Sequence, residues 1–186
     1  MQGCIKLIFL SFISYVKCWG YNDKGQLGIG ETYNRGDDSL DMGDNLPILY
    51  LGSDASENSL KALKISVGND HACALMTNYS LKCWGNNEYG QLGQGNQTNH
   101  GDTTNTMSNN LLPIQLGTDE NTGEELYALT VKCGNGYTCA KMSDYTYKCW
   151  GVNNYGQLGL GHTRNIGDNE GEMGNNLESI NLGELE

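Results

Sequence analysis

Cys83-Trp-Gly-Asn-Asn-Glu-Tyr-Gly-Gln-Leu-Gly-Gln-Gly95 decides the fold, because the same stretch is written three times. It recurs as Cys18-Trp19-Gly20 with Gly25-Gln26-Leu27-Gly28, and as Cys149-Trp150-Gly151 with Gly156-Gln157-Leu158-Gly159, at spacings of 65 and 66 residues. Working outward, further positions keep the register: Gly36-Asp37, Gly101-Asp102 and Gly167-Asp168; Met42, Met107 and Met173; and a closing Leu-Gly at 51–52, 116–117 and 182–183. A fixed period of this length is the mark of a repeat architecture. Units are read over 18–82, 83–148 and 149–186, the last one incomplete, after an apolar segment over 1–17.

A second block is visible twice. Val67-Gly68-Asn-Asp-His71-Ala-Cys73 aligns with Cys133-Gly134-Asn-Gly-Tyr137-Thr-Cys139, and each runs through a polar turn, 77–80 or 143–146, into the next Cys-Trp-Gly. Strand, tight turn and strand make a β-hairpin. Further strands are expected over 60–67 and 126–131 before the hairpins, and over 46–51 and 111–116 as a fourth in each unit. The fold expected is all-β: a partial β-propeller of about three blades, four short antiparallel strands per blade. The 26 glycines and the doubled asparagines supply the turns.

These residues resemble the regulator-of-chromosome-condensation repeat family, on Gly-x-x-His (68–71), Cys-Trp-Gly-x-Asn (83–87) and Gly-Gln-Leu-Gly-x-Gly (90–95), over nearly the whole chain from Val16. The resemblance implies a seven-bladed ring, so three units would be a fragment, or would close by self-association or with another propeller chain. It also implies two kinds of function. Founding members are guanine-nucleotide exchange factors for the small GTPase Ran and dock on chromatin, and a secreted bacterial inhibitor with the same propeller class binds β-lactamases.

The motif residues themselves read as structural. Trp19, Trp84 and Trp150 can fill the space between blades. Gln26, Gln91 and Gln157 can satisfy backbone groups freed by the glycine turns. An active site rarely repeats in every unit, so no catalytic residue and no cofactor are assigned. Among the seven cysteines, Cys73 and Cys83 lie ten residues apart on the two strands of one hairpin, and Cys139 and Cys149 repeat the arrangement. Two intra-blade disulfides are expected, each contributing about 2–3 kcal/mol through the short loop it closes. Cys4, Cys18 and Cys133 have no evident mate. The absence of Cys-x-x-Cys and the unequal repeat positions of His71, His100 and His162 give no zinc site. Loop acids (Asp37, Asp38, Asp41, Asp44; Asp168, Glu170, Glu172) suggest calcium, but the second unit offers only Asp102 there, so they read as solvated loops.

A net charge of −11, with basic residues scattered, excludes direct nucleic-acid binding and suits basic partners. The apolar run over 7–16 is too short to span a bilayer. It reads either as a signal-peptide core lacking a cleavage site or as an inner strand of the first unit. Sequons at Asn78 and Asn96 are candidate glycosylation sites. The reading is a non-enzymatic module presenting propeller loops to a protein partner, in the extracellular space or secretory-pathway lumen. The alternatives are an exchange factor for a small GTPase, and a cytoplasmic location.

Overall fold

The computed structural model describes residues 6–9, as backbone, and 15–183. Among the described residues nine strands form three antiparallel sheets, each containing one of the three Cys-Trp strands and the latter two straddling the boundaries between sequence units. The first holds β1 (Lys6–Phe9), β2 (Val16–Trp19) and β3 (Ile48–Leu49); the second β4 (Ala62–Val67), β5 (His71–Met76) and β6 (Leu81–Gly85); the third β7 (Ala128–Cys133), β8 (Tyr137–Met142) and β9 (Tyr147–Gly151). Of the N-terminal segment, Lys6–Phe9 pairs with Val16–Trp19, and residues 1–5 and 10–14, Cys4 included, lie outside the described residues. No helix among the described residues is long and apolar enough to cross a membrane.

The hairpins follow the turn chemistry. In blade 2 the Met76 amide donates to Ser80 O and the Tyr79 amide to Met76 O, closing a three-residue loop whose last member, Tyr79, has φ +63°. Blade 3 repeats this with Met142, Thr146 and Tyr145, φ +69°. That left-handed position usually goes to Gly. The hairpin register sets Cys73 opposite Cys83 and Cys139 opposite Cys149.

The second and third sheets have three regular strands each, and their fourth place is held by little more than one hydrogen bond. The Ile114 amide donates to Leu81 O, and the Ile180 amide donates to Tyr147 O. Pro113 has no amide hydrogen to extend a ladder at its position. In blade 1 the corresponding segment becomes the two-residue β3, after Pro47. β7 packs against β4 and β5, so these innermost strands converge where blades 2 and 3 meet. The core is layered between blades: one cluster joins Val16, Leu27, Leu49 and Leu51 to Met76 and Trp84, and the next joins Leu75, Leu81, Leu92 and Leu116 to Met142 and Trp150.

Candidate functional site

Each junction between blades is built from a tryptophan and the glycine turn of the preceding unit. Trp84 and Trp150 are wholly buried, and their indole N–H groups donate to Gln26 O and Gln91 O, both at 3.1 Å. Gly28 and Gly93 must be glycine: a Cβ there would lie 2.8 Å from the indole nitrogen it faces. The Gln side chains face their own turns, with Gln26, Gln91 and Gln157 Oε1 each accepting from the backbone amide two residues earlier at 2.9 Å. The Asn of Cys-Trp-Gly-x-Asn holds the other side. Buried Asn22, Asn87 and Asn153 accept from the amides of Leu27, Leu92 and Leu158. Lys82 and Lys148 donate to Leu51 O and Leu116 O, tying β6 and β9 to the Leu-Gly pairs at 51–52 and 116–117, and burial lowers both lysines from the usual ammonium value.

Cys73–Cys83 and Cys139–Cys149 are disulfides, with S–S distances of 2.02 and 2.03 Å. Beside the first lies a buried group with no counterpart elsewhere in the described residues. A ring nitrogen of His71 and the sulfurs of Cys73 and Cys133 all fall within 4.8 Å of one another. His71 Nε2 meets Thr138 Oγ1 at 2.9 Å, and that hydroxyl donates onward to Gln91 O at 2.9 Å, so the proton sits on Nε2 and Nδ1 is left without a partner. Burial lowers the imidazole to about 4. The Cys133 amide donates to Ser66 Oγ at 2.8 Å and its thiol to Ser66 O at 3.3 Å, and burial pushes the thiol up to about 12. As a metal set this group is short, since the Cys73 sulfur is already bonded to Cys83. Cys18, also buried and raised to about 12, faces Leu7 across the β1–β2 ladder, where blades 2 and 3 place a second cysteine.

The hairpin turns form an aromatic rim. Tyr79 is 55% and Tyr145 71% exposed, and Tyr127 packs tilted against Tyr79 with ring centroids 5.0 Å apart. Lys141 Nζ lies over the Tyr145 and Tyr147 rings at 5.1 and 5.8 Å. A cavity of about 420 Å³ opens between Tyr79, Pro113, Gln115, Glu125 and Tyr127. A second, of about 500 Å³, is walled by Asp119, Glu120 and Asp144. The sequon residue Asn78 lies at the rim, its Oδ1 accepting from Ser80; Asn96 Oδ1 accepts from the Thr98 amide in a loop. The sequence reading assigns no role to the tyrosines and leaves Cys133 without a mate. A signal was present for the former, since Tyr79 and Tyr145 occupy the same repeat position, but none for the latter, since its repeat equivalent is Val67.

The loop acids serve their own turns. Asp41 Oδ2 accepts from the Gly36 amide and Glu172 Oε2 from the Gly167 amide, while in blade 2 the Thr106 hydroxyl takes the equivalent bond from Gly101. A hydroxyl therefore replaces a carboxylate without loss of the turn. Trp19 and Met42 flank Gly36 in blade 1, and Trp19 is only partly buried.

The sequence profile of the regulator of chromosome condensation (RCC1) repeat matches residues 16–75 and 83–140, and a second RCC1-repeat profile matches residues 63–91. The ultraviolet-B receptor UVR8 of Arabidopsis thaliana is 30% identical over 146 residues, which cover 78% of this chain and 27% of that protein. The RCC2 homologue of Danio rerio is 34% identical over 141 residues, covering 76% and 23%. The chain thus spans about a quarter of the length of these relatives. Among solved structures, Prp20p of Saccharomyces cerevisiae superposes with a TM-score of 0.56 at 18% identity, over 95% of this chain and 36% of that one. The yeast RCC1 (Prp20) bound to Kap60 gives 0.55 at 18% identity, over 92% and 32%.

Proposed function

Since the chain belongs to the RCC1 repeat family, we propose that it is a non-enzymatic protein-interaction module whose rim of hairpin turns receives a basic segment of a partner protein. One observation carries this reading. Both described turns place tyrosine, in place of glycine, at the left-handed position. A bulky residue there costs of the order of 1–2 kcal/mol, and backbone strain of this kind clusters where a side chain has a task. The two phenols are exposed, with Tyr127 against Tyr79, Glu125 in the same cavity, and Asp144, which adjoins Tyr145, walling the second cavity with Asp119, Glu120 and Lys148. Tyrosine faces take up guanidinium groups, carboxylates bind them bidentately, and tyrosine is enriched in protein interfaces. The net charge of −11 would speed association with a basic partner.

Prp20p is described as binding Gsp1p and histones, and the other yeast complex holds Kap60. Protein binding is thus a use to which other RCC1-type propellers are put, and the partner of this chain is proposed on chemistry alone. A surface equivalent to the two filled junctions, Gly156–Gly161, is proposed to take a further RCC1-type unit, on this polypeptide or another. Light scattering on the eluting protein tests that point: a monomer of this chain that buries no further apolar surface would overturn it. The paired cysteines are the support for proposing an oxidising compartment, outside the cell or in the secretory lumen, as the site of action.

The rim is tested by fluorescence anisotropy with a labelled arginine-rich peptide and a glutamate-rich one. The arginine-rich peptide should bind, more weakly at high salt, and Tyr79→Ala with Tyr127→Ala should weaken it about tenfold or more, roughly 1.4 kcal/mol. Tyr89→Ala with Tyr155→Ala, at the opposite end of the strands, should leave binding unchanged. Equal binding of both peptides, or equal loss from both pairs of substitutions, would refute the assignment.

A further inference from the structure

The buried group at the blade 2–blade 3 junction has a use that neither blade packing nor rim binding needs. Cys133 is a free thiol held across the junction by two bonds to Ser66 of the neighbouring blade. Its sulfur lies within 4.8 Å of Cys73 Sγ, a sulfur already engaged in a disulfide. Cysteines at 73 and 83 belong to the repeat, being matched by 139 and 149, whereas the cysteine at 133 stands where the preceding unit has Val67. The repeat architecture alone therefore does not call for a thiol at that place.

We infer that Cys133 is an exchange partner for the Cys73–Cys83 disulfide, and that the chain has a second covalent state in which Cys73–Cys133 joins blade 2 to blade 3. Exchange proceeds by attack of a thiolate on a disulfide sulfur through in-line displacement. Cys133 gives up its proton and its sulfur attacks Cys73 Sγ. The Cys133–Cys73 bond forms as the Cys73–Cys83 bond breaks, and Cys83 leaves as a thiolate that takes up a proton. One disulfide and one thiol are present before and after, so no oxidant or reductant is required. Closing the gap between the sulfurs requires the Cys133 side chain to leave Ser66 O. Burial keeps the Cys133 thiol protonated while the junction is shut, so the exchange awaits a brief loosening of the junction. His71, with Nδ1 unpartnered, and the Thr138 hydroxyl, 3.9 Å from Cys73 Sγ, are the polar groups that line the path. The hairpin of blade 2 would lose its clamp, and a packed junction would become a covalent one. Cys139–Cys149 has no third cysteine within reach among the described residues and serves as an internal control.

The test is disulfide mapping of the whole chain. Protein held in mildly alkaline, non-denaturing buffer is quenched with N-ethylmaleimide, digested with trypsin and chymotrypsin so that Cys133 and Cys139 separate at Tyr137, and analysed by mass spectrometry without reduction. The expected product is a Cys73–Cys133 linked peptide paired with alkylated Cys83, while Cys139–Cys149 persists. Cys83→Ser gives the independent arm: with oxidised glutathione the Cys73–Cys133 link should form nearly to completion, with Cys73 and Cys133 lost together from the alkylatable pool. Cys149→Ser, which frees Cys139, should give no link to Cys73. Alkylation of Cys133 in all molecules with only Cys73–Cys83 recovered, together with two alkylatable thiols at 73 and 133 in a Cys83→Ser protein of native circular dichroism, would overturn the inference. If Cys83→Ser does not fold, mapping of the unsubstituted chain decides alone.

Discussion

The glycine turn of unit 2 and that of unit 3 have the same letters and different surroundings. At Gly90 a Cβ would meet the Asp168 amide nitrogen at 2.2 Å and the Gly167 carbonyl carbon at 2.2 Å; at Gly156 it would meet nothing within 4 Å among the described residues. Gly25 repeats the filled case, with the Asp102 amide at 2.2 Å, and Gly161 the open one. The lesson is that Gly-Gln-Leu-Gly carries two demands. One is local, a left-handed backbone, and all three copies meet it: φ is +73°, +76° and +74° at Gly25, Gly90 and Gly156. The other is a close approach by the Gly-Asp loop and tryptophan of the following unit. Only the first two copies express it.

The tryptophans give the largest expected contrast. Trp84→Ala and Trp150→Ala each empty a wholly buried site, the first also stranding the Gln26 carbonyl, and should cost about 3–5 kcal/mol. Trp19→Ala, at a partly buried site, should cost about 1–2 kcal/mol. Urea denaturation of the three variants measures the difference. Equal losses would mean that the ring systems act within blades and that the junction reading is wrong.

Acid should act on one junction alone. His71 is buried at the blade 2–blade 3 contact and lowered to about 4 by burial, while blade 3 has Tyr137 at that position. Because its folded value lies below the unfolded one of 6.5, the neutral ring's contribution is complete above about pH 6.5 and is lost as pH falls toward 4. The loss is of the order of 3 kcal/mol. His71→Gln should flatten stability across that window, read from urea midpoints at several pH values. An unchanged slope would assign the acid sensitivity to carboxylates instead.

Substitution of the glycines isolates the second demand from the first. Gly90→Ala forces a Cβ into backbone and should cost about 2–3 kcal/mol or more, whereas Gly156→Ala bears only the left-handed penalty, about 1 kcal/mol. A matching loss at both would show that conformation alone selects the glycines. A further unit docked on Gly156–Gly161 would also equalise them, so the comparison belongs with the light-scattering result.

Much of this was legible in the sequence, and the reasons are physical. The period gave the blades because a repeat encodes the same burial each time, and the ten-residue cysteine spacing gave the disulfides because a three-residue hairpin loop fixes which residues face each other. The fourth strand was over-read: apolar runs over 46–51 and 111–116 bury Leu46, Leu49, Leu51, Leu111, Ile114 and Leu116 without needing a full ladder. Burial is a pattern that hydropathy reports, whereas the ladder depends on amide donors that Pro47 and Pro113 lack. What stayed hidden is what lies between units. That Cys133 meets Cys73, 60 residues earlier, follows from how β7 converges on β4 and β5, and no local pattern carries it.

The smallest effect sought is in the Gly-Asp loops, and it separates docking from capping. Gly167-Asp168 rests on Gly90, whereas Gly36-Asp37 rests on no preceding unit among the described residues. Both loops are closed by a carboxylate accepting the glycine amide, Glu172 in one and Asp41 in the other. Burial by itself would raise both carboxyls, but the amide and side-chain bonds they accept hold them below their ordinary values. Arg35 bridges Asp41 and Glu31 as well, at a partly buried place in the loop. If the cap matters because the loop is a plug, Glu172→Gln should cost about 1 kcal/mol and Asp41→Asn less than half of that. The Glu172 change would also loosen the Trp150 junction, visible as red-shifted emission. Equal, small costs with no spectral change would mean that the loops hold their shape from their own backbones. Added calcium is a control on the same protein, since these oxygens are already accepting amides: it should leave the melting temperature unmoved, and a rise of several degrees would reassign Asp41 and Glu172 from turn caps to metal ligands.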